Sequence, residues 1–263
     1  MKRIVIKVGS NVLTRSNGKL DVTRMSAIVD QIAWLRQQGH EVILVTSGAV
    51  ACGRSELHTD HSLDSVEQRQ LFSAMGQAKL IGLYYDLFRE HNIHVGQVLT
   101  MKENFGAGEQ YDNQRACISV MLENGVLPIV NENDTVSVSE LMFTDNDELS
   151  GLMAQMMQAE ELILLTNVDG IYNGSPNNPR SRVIPSVYWD HDLSEYILDE
   201  KSQQGRGGMR SKSSIAQRVA AEGIRVVIAN GRRDNILVDL IEHPMEVMHT
   251  EFVPKKPTKT DKP

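Results

Sequence analysis

Two lysines set beside glycines, and two short runs of acids and amides, have the residue types and spacing to do chemistry. Lys7 closes the apolar run Ile4-Val5-Ile6 and is followed by Val8-Gly9-Ser10-Asn11. Lys212 comes after Gly205-Arg206-Gly207-Gly208-Met209-Arg210-Ser211, where a stretch of helical spacing begins. Between them lie Asn131-Glu132-Asn133-Asp134 and Asp145-Asn146-Asp147, separated by ten residues. An ammonium inside a buried strand needs an anionic partner, because burying it unpaired is expensive. Phosphate suits that need where Gly9 and Ser10 let the backbone come close. The glycines before Lys212 would let the backbone close on an anion, and a lysine at a helix start can reach a transferring phosphoryl group. Carboxylates and carboxamides that leave a strand and open a helix supply dense donors and acceptors where α/β proteins build sites. Together these features point to a small-molecule kinase. Each also has a local reading: a lysine snorkelling from an edge strand, Asn and Asp serving turns and caps, a flexible surface loop.

Two further loops fit the same chemistry. Thr46-Ser47-Gly48-Ala49-Val50-Ala51-Cys52-Gly53 turns from a strand toward a helix, so backbone N–H groups and a hydroxyl suit a carboxylate or phosphate. Ser47 also reads as an ordinary N-cap, and without a Gly-x-Ser-x-Gly elbow it is no hydrolase nucleophile. Thr166-Asn167-Val168-Asp169-Gly170 ends a strand and reads either as a nucleotide-pocket wall or as an Asp-Gly turn. The residue order around Lys212 excludes a P-loop.

Composition bounds the alternatives. A chain of 263 residues can bury a sizeable core as one large α/β domain or as two lobes sharing a sheet. The formal charge of −7 argues against general nucleic-acid affinity. No run approaches the ~20 apolar residues of a membrane span, and the opening Met1-Lys2-Arg3-Ile4-Val5-Ile6-Lys7 lacks the apolar region of a signal peptide, so it is expected to be the first strand of a cytoplasmic protein. Cys52 and Cys117 are far apart and read as free thiols, and the eight histidines are scattered without a metal-binding pattern.

Elements that could position these groups alternate along the chain. Apolar strands are predicted at 4–8, 41–46, 95–99, 126–130, 162–166 and 225–229. Helical spacing covers 22–38, 66–90 (one long helix or a broken pair, with Gly76 and Gly82 as close-packing positions), 114–124, a segment ending at Ala159, 212–222 and 235–242. A hairpin is expected between the two acidic clusters, and residues 253–263 are expected to form a disordered tail. Continuous apolar strands separated by helices imply an α/β fold with a parallel sheet covered on both faces.

The order of Lys7-Val8-Gly9-Ser10, Thr46-Ser47-Gly48-Ala49, Asn131-Glu132-Asn133-Asp134, Asp145-Asn146-Asp147 and Gly207-Gly208-Met209…Lys212 resembles that of the amino-acid kinase family across residues 1–252. Within it, the acid-and-amide pair is similar to that of members phosphorylating the γ-carboxylate of free glutamate, the first step of proline biosynthesis. The resemblance implies a three-layer α/β/α sandwich around a mostly parallel eight-stranded sheet. Glutamate would bind a lobe of about 1–160 and ATP a lobe of about 161–252, with no C-terminal PUA module following. It implies that Lys7 and Lys212 flank the transferring phosphoryl group and that Asp147 orients both. Ser47, Gly48, Asp134 and Asn146 would hold glutamate, Asp134 taking its α-ammonium, with Asn131 and Asp145 in support. Lys7, Gly9, Ser10, Thr166, Asn167, Arg206, Gly207, Gly208, Met209, Arg210, Ser211 and Lys212 would line the ATP site. Mg²⁺ would arrive on the ATP phosphates, with no protein metal site. Further implications are feedback inhibition by proline, a homodimer or homotetramer, and product passing to glutamate-5-semialdehyde dehydrogenase. Related readings are an N-acetylglutamate or aspartate kinase, or a non-catalytic ligand-binding protein on the same fold.

The chain departs from the family pattern at a few positions. Met142 stands where a lysine is common and Thr144 where a glycine is, just before Asp145. Asn167 replaces a frequent aspartate, and Arg206 and Arg210 replace smaller residues.

Overall fold

The computed structural model describes residues 1–57, 62–137, 145–193, 196 and 208–256. Its sheet is built from β1 (Arg3–Val8), β2 (Glu41–Thr46), β3 (Val95–Thr100), β4 (Leu127–Glu132), β5 (Glu161–Thr166), β6 (Ser186–Tyr188), β7 (Arg225–Asn230) and β8 (His249–Val253). The eight strands lie in the order β3-β4-β2-β1-β5-β7-β8-β6, all neighbours parallel except β7 and β8. The helices are α1 (Ser10–Leu13), α2 (Val22–Gln37), α3 (Ala49–Glu56), α4 (Ser65–Arg89), α5 (Glu109–Glu123), α6 (Asn146–Met156), α7 (Met209–Ala221) and α8 (Ile236–Glu242). Strands β4 and β5 are buried at every residue, as their near-continuous apolar sequences require of a sheet covered on both faces.

Side-chain alternation along β1 sorts the two layers. Ile4, Ile6 and Val8 enter one core with residues of α2, α4 and α8 such as Ile32, Tyr84 and Leu237. Val5 enters the other, with Ile118 of α5, Leu149 of α6 and Ile215 of α7. Because successive side chains point to opposite faces, Lys7 shares the side of Val5 and projects toward the α6–α7 layer. From β1 the chain runs through α2 to β2 on one side, whereas β5 lies on the other side of β1. Strand order therefore reverses between β1 and β5, and the crevice beyond their carboxyl ends is where open α/β sheets bind ligands. No helix among the described residues is long and apolar enough to cross a membrane.

The predicted strands and the parallel sheet are observed, with these differences. Segment 65–89 is one unbroken helix, opened by a capping box in which the Asp64 side chain accepts from Val66 and Glu67 N–H groups. Helix α5 starts at Glu109 rather than 114, and β6 and β8 were not expected, their buried and exposed residues alternating over only a few positions. Residues 253–256, expected to open the tail, are placed against the fold. Val253 lies in β8, the Lys255 N–H donates to Ala220 O at 2.8 Å, and its ammonium sits 5.4 Å from the centroid of the Trp189 ring. Residues 257–263 and the hairpin positions 138–144 lie outside the described residues.

Helices α3 and α4 touch backbone to backbone. A Cβ at Gly76 would sit 1.8 Å from Ala49 O, and one at Gly53 would sit 1.9 Å from Phe72 O. This contact seats α3, from Ala49 to Gly53, against the long helix. Gly82 plays no such part, since nothing lies within 4 Å of its would-be Cβ. The same substitution therefore has opposite signs at the two positions. Gly76→Ala is expected to lower stability by about 2 kcal/mol or more through overpacking. Gly82→Ala should raise it by roughly 0.5–1 kcal/mol by removing a flexible residue from a helix interior. Denaturant midpoints of the two variants check the pair.

Candidate active site

A cleft of about 390 Å³ opens over the carboxyl ends of β1, β2, β4 and β5. It gathers Lys7, Gly9, Ser10, Ser47, Gly48, Asn131, Asp134, Asp145, Asn146, Asp147, Thr166 and Lys212 from segments far apart in the chain. At its base, Asp147 stands between the two lysines. Lys7 Nζ is 2.6 Å from Asp147 Oδ1, and Lys212 Nζ is 3.0 Å from Oδ2. The Asp147 side chain is 1% exposed. Burial alone pushes its carboxyl up, but the two ammoniums and their hydrogen bonds outweigh that and hold it below the ordinary carboxylate range. Lys7 is not the snorkelling lysine of an edge strand, because β1 is central, paired with β2 and β5.

Helix packing brings the three groups together. Asp147 and Gly151 lie one turn apart on α6, facing Lys212, Ile215 and Val219 along α7. A Cβ at Gly151 would be 3.0 Å from methyls of both Ile215 and Val219, so the glycine lets α7 approach closely enough for Lys212 to reach its partner. Asp145 is the N-cap of α6, its Oδ1 accepting from Asp147 N at 2.9 Å and Glu148 N at 3.1 Å. Its Oδ2 accepts from Ser211 Oγ at 2.8 Å, a second tie between the two helix starts. Burial and the neighbouring Asp147 charge push the Asp145 carboxyl up, against the hydrogen bonds that favour its ionised form.

Asn146 is the hub of the amide side. Its Nδ2 lies 2.8 Å from Thr46 O, 2.9 Å from Ser47 Oγ and 2.9 Å from Asn131 Oδ1. Two amide hydrogens cannot fully serve three acceptors, which leaves acceptor capacity on this wall for a ligand donor. Asn131 in turn donates to Gln77 Oε1 on α4 at 2.9 Å. Ser47 is not the helix cap. Gly48 occupies that position at φ +107°, a left-handed conformation that favours glycine, and makes no side-chain cap. The Ser47 hydroxyl accepts from Asn146 and can turn its own hydrogen toward the cleft.

The structure adds a partner at Asp134. Its carboxylate lines the cleft but is already gripped by Arg69 of α4, whose Nε donates to Oδ1 at 2.7 Å. On the other side, Gly9 and Thr166 reach the cleft, and Gly9 N–H donates to Leu165 O at 3.2 Å, joining the ends of β1 and β5. Asn167 is exposed and does not line the cleft, nor do Gly208, Met209, Arg210 or Ser211. Gly208 is the N-cap of α7 and places Lys212 in its first turn. Arg206, Gly207, Met142 and Thr144 lie outside the described residues. Sequence reasoning missed Thr14, Arg54 and Glu132, which line the cleft, and Arg69, Gln77 and Tyr84, which support it from α4. The Tyr84 hydroxyl is 2.8 Å from Thr46 Oγ1 in full burial, which pushes the phenol up. Glu132 could have been found inside its acid-and-amide run, whereas the α4 residues carry no local signal.

Comparison with known proteins bears on this arrangement. The model of the amino acid kinase family matches residues 2–230. A protein named glutamate 5-kinase from Bacteroides thetaiotaomicron is 66% identical over 252 residues, covering 96% of this chain and 70% of that protein. One of the same name from Chlorobaculum tepidum is 46% identical over 263 residues, covering 99% of this chain and 72% of that protein. Among solved structures, carbamate kinase from Giardia lamblia bound to AMP-PNP is similar at a TM-score of 0.68 and 16% identity, covering 97% of this chain and 99% of that one. UMP kinase from Ureaplasma parvum is similar at 0.65 and 18% identity, with the same two coverages. At such identities the structural likeness is one of fold, a mostly parallel eight-stranded sheet between helices. The sequence likeness goes further: the chain belongs to the amino acid kinase family.

Proposed function

We propose that this chain transfers the γ-phosphoryl group of ATP to the γ-carboxylate of L-glutamate, giving L-glutamyl 5-phosphate and ADP, the first step of proline biosynthesis. The observation that carries this reading is the buried Lys7–Asp147–Lys212 bridge at the base of the cleft, in a chain 66% identical to a protein named glutamate 5-kinase. A carboxylate oxygen of glutamate attacks the γ-phosphorus, the bond to the β,γ-bridging oxygen breaks, and that oxygen leaves on ADP. The acceptor is ionised near neutral pH, with an ordinary pKa of about 4.3, so the reaction needs no general base. What it needs is alignment and neutralisation of charge on the equatorial oxygens. Two ammoniums bridged by one carboxylate leave one positive charge in excess. The amino-terminal ends of α6 and α7 add the favourable end of their dipoles.

Glutamate lies against Ser47, Gly48, Asn131, Asp134 and Asn146 in the N-terminal part, and ATP toward the side of Gly9, Thr166 and the start of α7. The protein carboxylates at the base are committed, Asp147 to the lysines and Asp145 to the α6 cap and Ser211. Mg²⁺ would therefore arrive on the nucleotide phosphates and would supply charge neutralisation there. Proline competes by placing its own charged ends on Asp134 and Asn146. We further propose a cytoplasmic homodimer or homotetramer whose labile acyl-phosphate product passes to glutamate-5-semialdehyde dehydrogenase.

An ADP-release assay with glutamate, aspartate and N-acetylglutamate, each with and without proline, tests the assignment. Turnover is expected with glutamate, and proline should raise the glutamate KM. Turnover of N-acetylglutamate without glutamate sinks the assignment, and a glutamate KM indifferent to saturating proline removes the inhibitor. Lys7→Ala and Lys212→Ala should each lower kcat by about a hundredfold or more at saturating substrates, the scale of losing a preorganised charge at the transition state. Near-normal kcat in either variant takes that lysine out of the mechanism.

Asp147→Asn leaves two ammoniums together in a buried site. It is expected to cost about 3–5 kcal/mol of stability, the scale of breaking a buried ion pair from one side. The sign with pH follows from the depressed carboxyl. Its contribution is present above the unfolded-state pKa and is lost as pH falls through the lower folded-state value. The stability gap between wild type and Asp147→Asn should therefore be full at neutral pH and narrow under acid, as read by chemical denaturation at several pH values.

A further inference from the structure

Helix α4 reaches the acceptor end of the cleft without entering it. Arg69 does not line the cleft, yet its Nε donates to Asp134 Oδ1 at 2.7 Å and a terminal nitrogen lies 3.3 Å from Glu132 Oε1. Both carboxylates do line the cleft, and all three side chains are at most 13% exposed. Glu132 Oε1 also accepts from Ser137 Oγ at 2.8 Å. One residue on, Gln70 Nε2 donates to Thr135 O at 2.8 Å, so α4 holds the turn after β4 by backbone as well as side chain. Two turns further, Gln77 accepts from Asn131.

We propose that Arg69 is a positioning residue for the acceptor site: it fixes the Asp134 and Glu132 carboxylates side by side so that the site selects an acid bearing a free α-ammonium. This rests on the reading of glutamate as acceptor. The physical argument is one of charge and geometry. Two carboxylates brought close repel unless a cation stands between them, and a guanidinium fork can hold one on Nε and the other on a terminal nitrogen. With both carboxylates turned on the same cation, their directions are fixed. An incoming ammonium then meets them without reorganising the site. The fork stands behind the carboxylates rather than in the cleft, so it acts through them and leaves the lysine end of the site untouched.

The test compares glutamate with glutarate, the same diacid without the amine, in wild type, R69A and R69K. Losing a charge-supported contact to the ammonium should raise the glutamate KM about tenfold in R69A. The glutarate inhibition constant and the ATP KM should stay within about twofold, and kcat should change less than KM. R69K keeps the charge and the fold but cannot hold two carboxylates on one planar fork, so it should raise the glutamate KM about threefold. If R69A fails to fold, R69K decides. Equal weakening of glutamate and glutarate in either folded variant, or an unchanged glutamate KM in R69K, overturns the proposal. Absence of glutamate turnover in the wild-type arm would instead remove the activity on which it rests, leaving the two failures distinguishable.

Discussion

The site depends on one carboxylate being shared by two ammoniums. Two unit charges 4 Å apart interact by about 4 kcal/mol at an effective dielectric of 20, so Lys7 and Lys212 could not be held in one buried place without an anion between them. Asp147 meets that requirement at 2.6 and 3.0 Å, one contact on each oxygen. The arrangement is not neutral. The three-residue bridge keeps one positive charge, with the Asp145 carboxylate beside it turned to the α6 cap and Ser211, and a low-dielectric cleft strengthens its pull on an anion. The resting site thus has the charge that a transferring phosphoryl group requires, already assembled.

Much of the surrounding fold serves that contact. The parity of β1 turns Lys7 toward the α6–α7 layer, and the N-cap made by Asp145 fixes the first turn of α6 on which Asp147 sits. Gly151 closes the distance between α6 and α7, and the Ser211–Asp145 hydrogen bond ties the two helix starts. The acceptor wall is a separate construction. There α4 acts as a rail, supporting Thr46 through Tyr84, Asn131 through Gln77 and the turn after β4 through Arg69 and Gln70. The backbone contact at Gly76 locks that rail to α3, whose first turn lines the same cleft.

How legible these parts are in the sequence follows from where their physical signals lie. Continuous apolar strands announce a parallel sheet because both faces must be covered, and Lys7 stands out because it interrupts such a run. Asp145-Asn146-Asp147 is legible because a cap and a first helical turn are local events. Arg69 is not, since an arginine beside Glu67, Gln68 and Gln70 reads as an exposed helix face, and only tertiary packing puts the distant Glu132 and Asp134 carboxylates against it. Gly82 misled for the same reason. A glycine inside a helix looks alike whether a backbone lies against it, as at Gly76, or open space does. Strand β8 escaped because a short segment of alternating burial that pairs antiparallel with β7 gives no apolar run to read.

The cleft has two chemically different ends, and the difference constrains what can lie across it. The base carries the Lys7 and Lys212 ammoniums, and the rim after β4 carries the Glu132 and Asp134 carboxylates. A substrate that satisfies both must present an anion at one end and a cation at the other. The wall of Asn131, Asn146 and Ser47 lies between, where the Ser47 hydroxyl can donate to a second carboxylate. An amino acid with an acidic side chain has these three groups in a compact frame, and its side-chain carboxylate is the one that reaches the lysines when the ammonium is held at the rim. Reversed binding would put the ammonium against two lysines and the acid against two carboxylates, and both contacts would be repulsive. On the proposed reading of glutamate as acceptor, orientation, and with it the choice of which carboxylate is phosphorylated, would follow from the polarity of the cleft rather than from its shape.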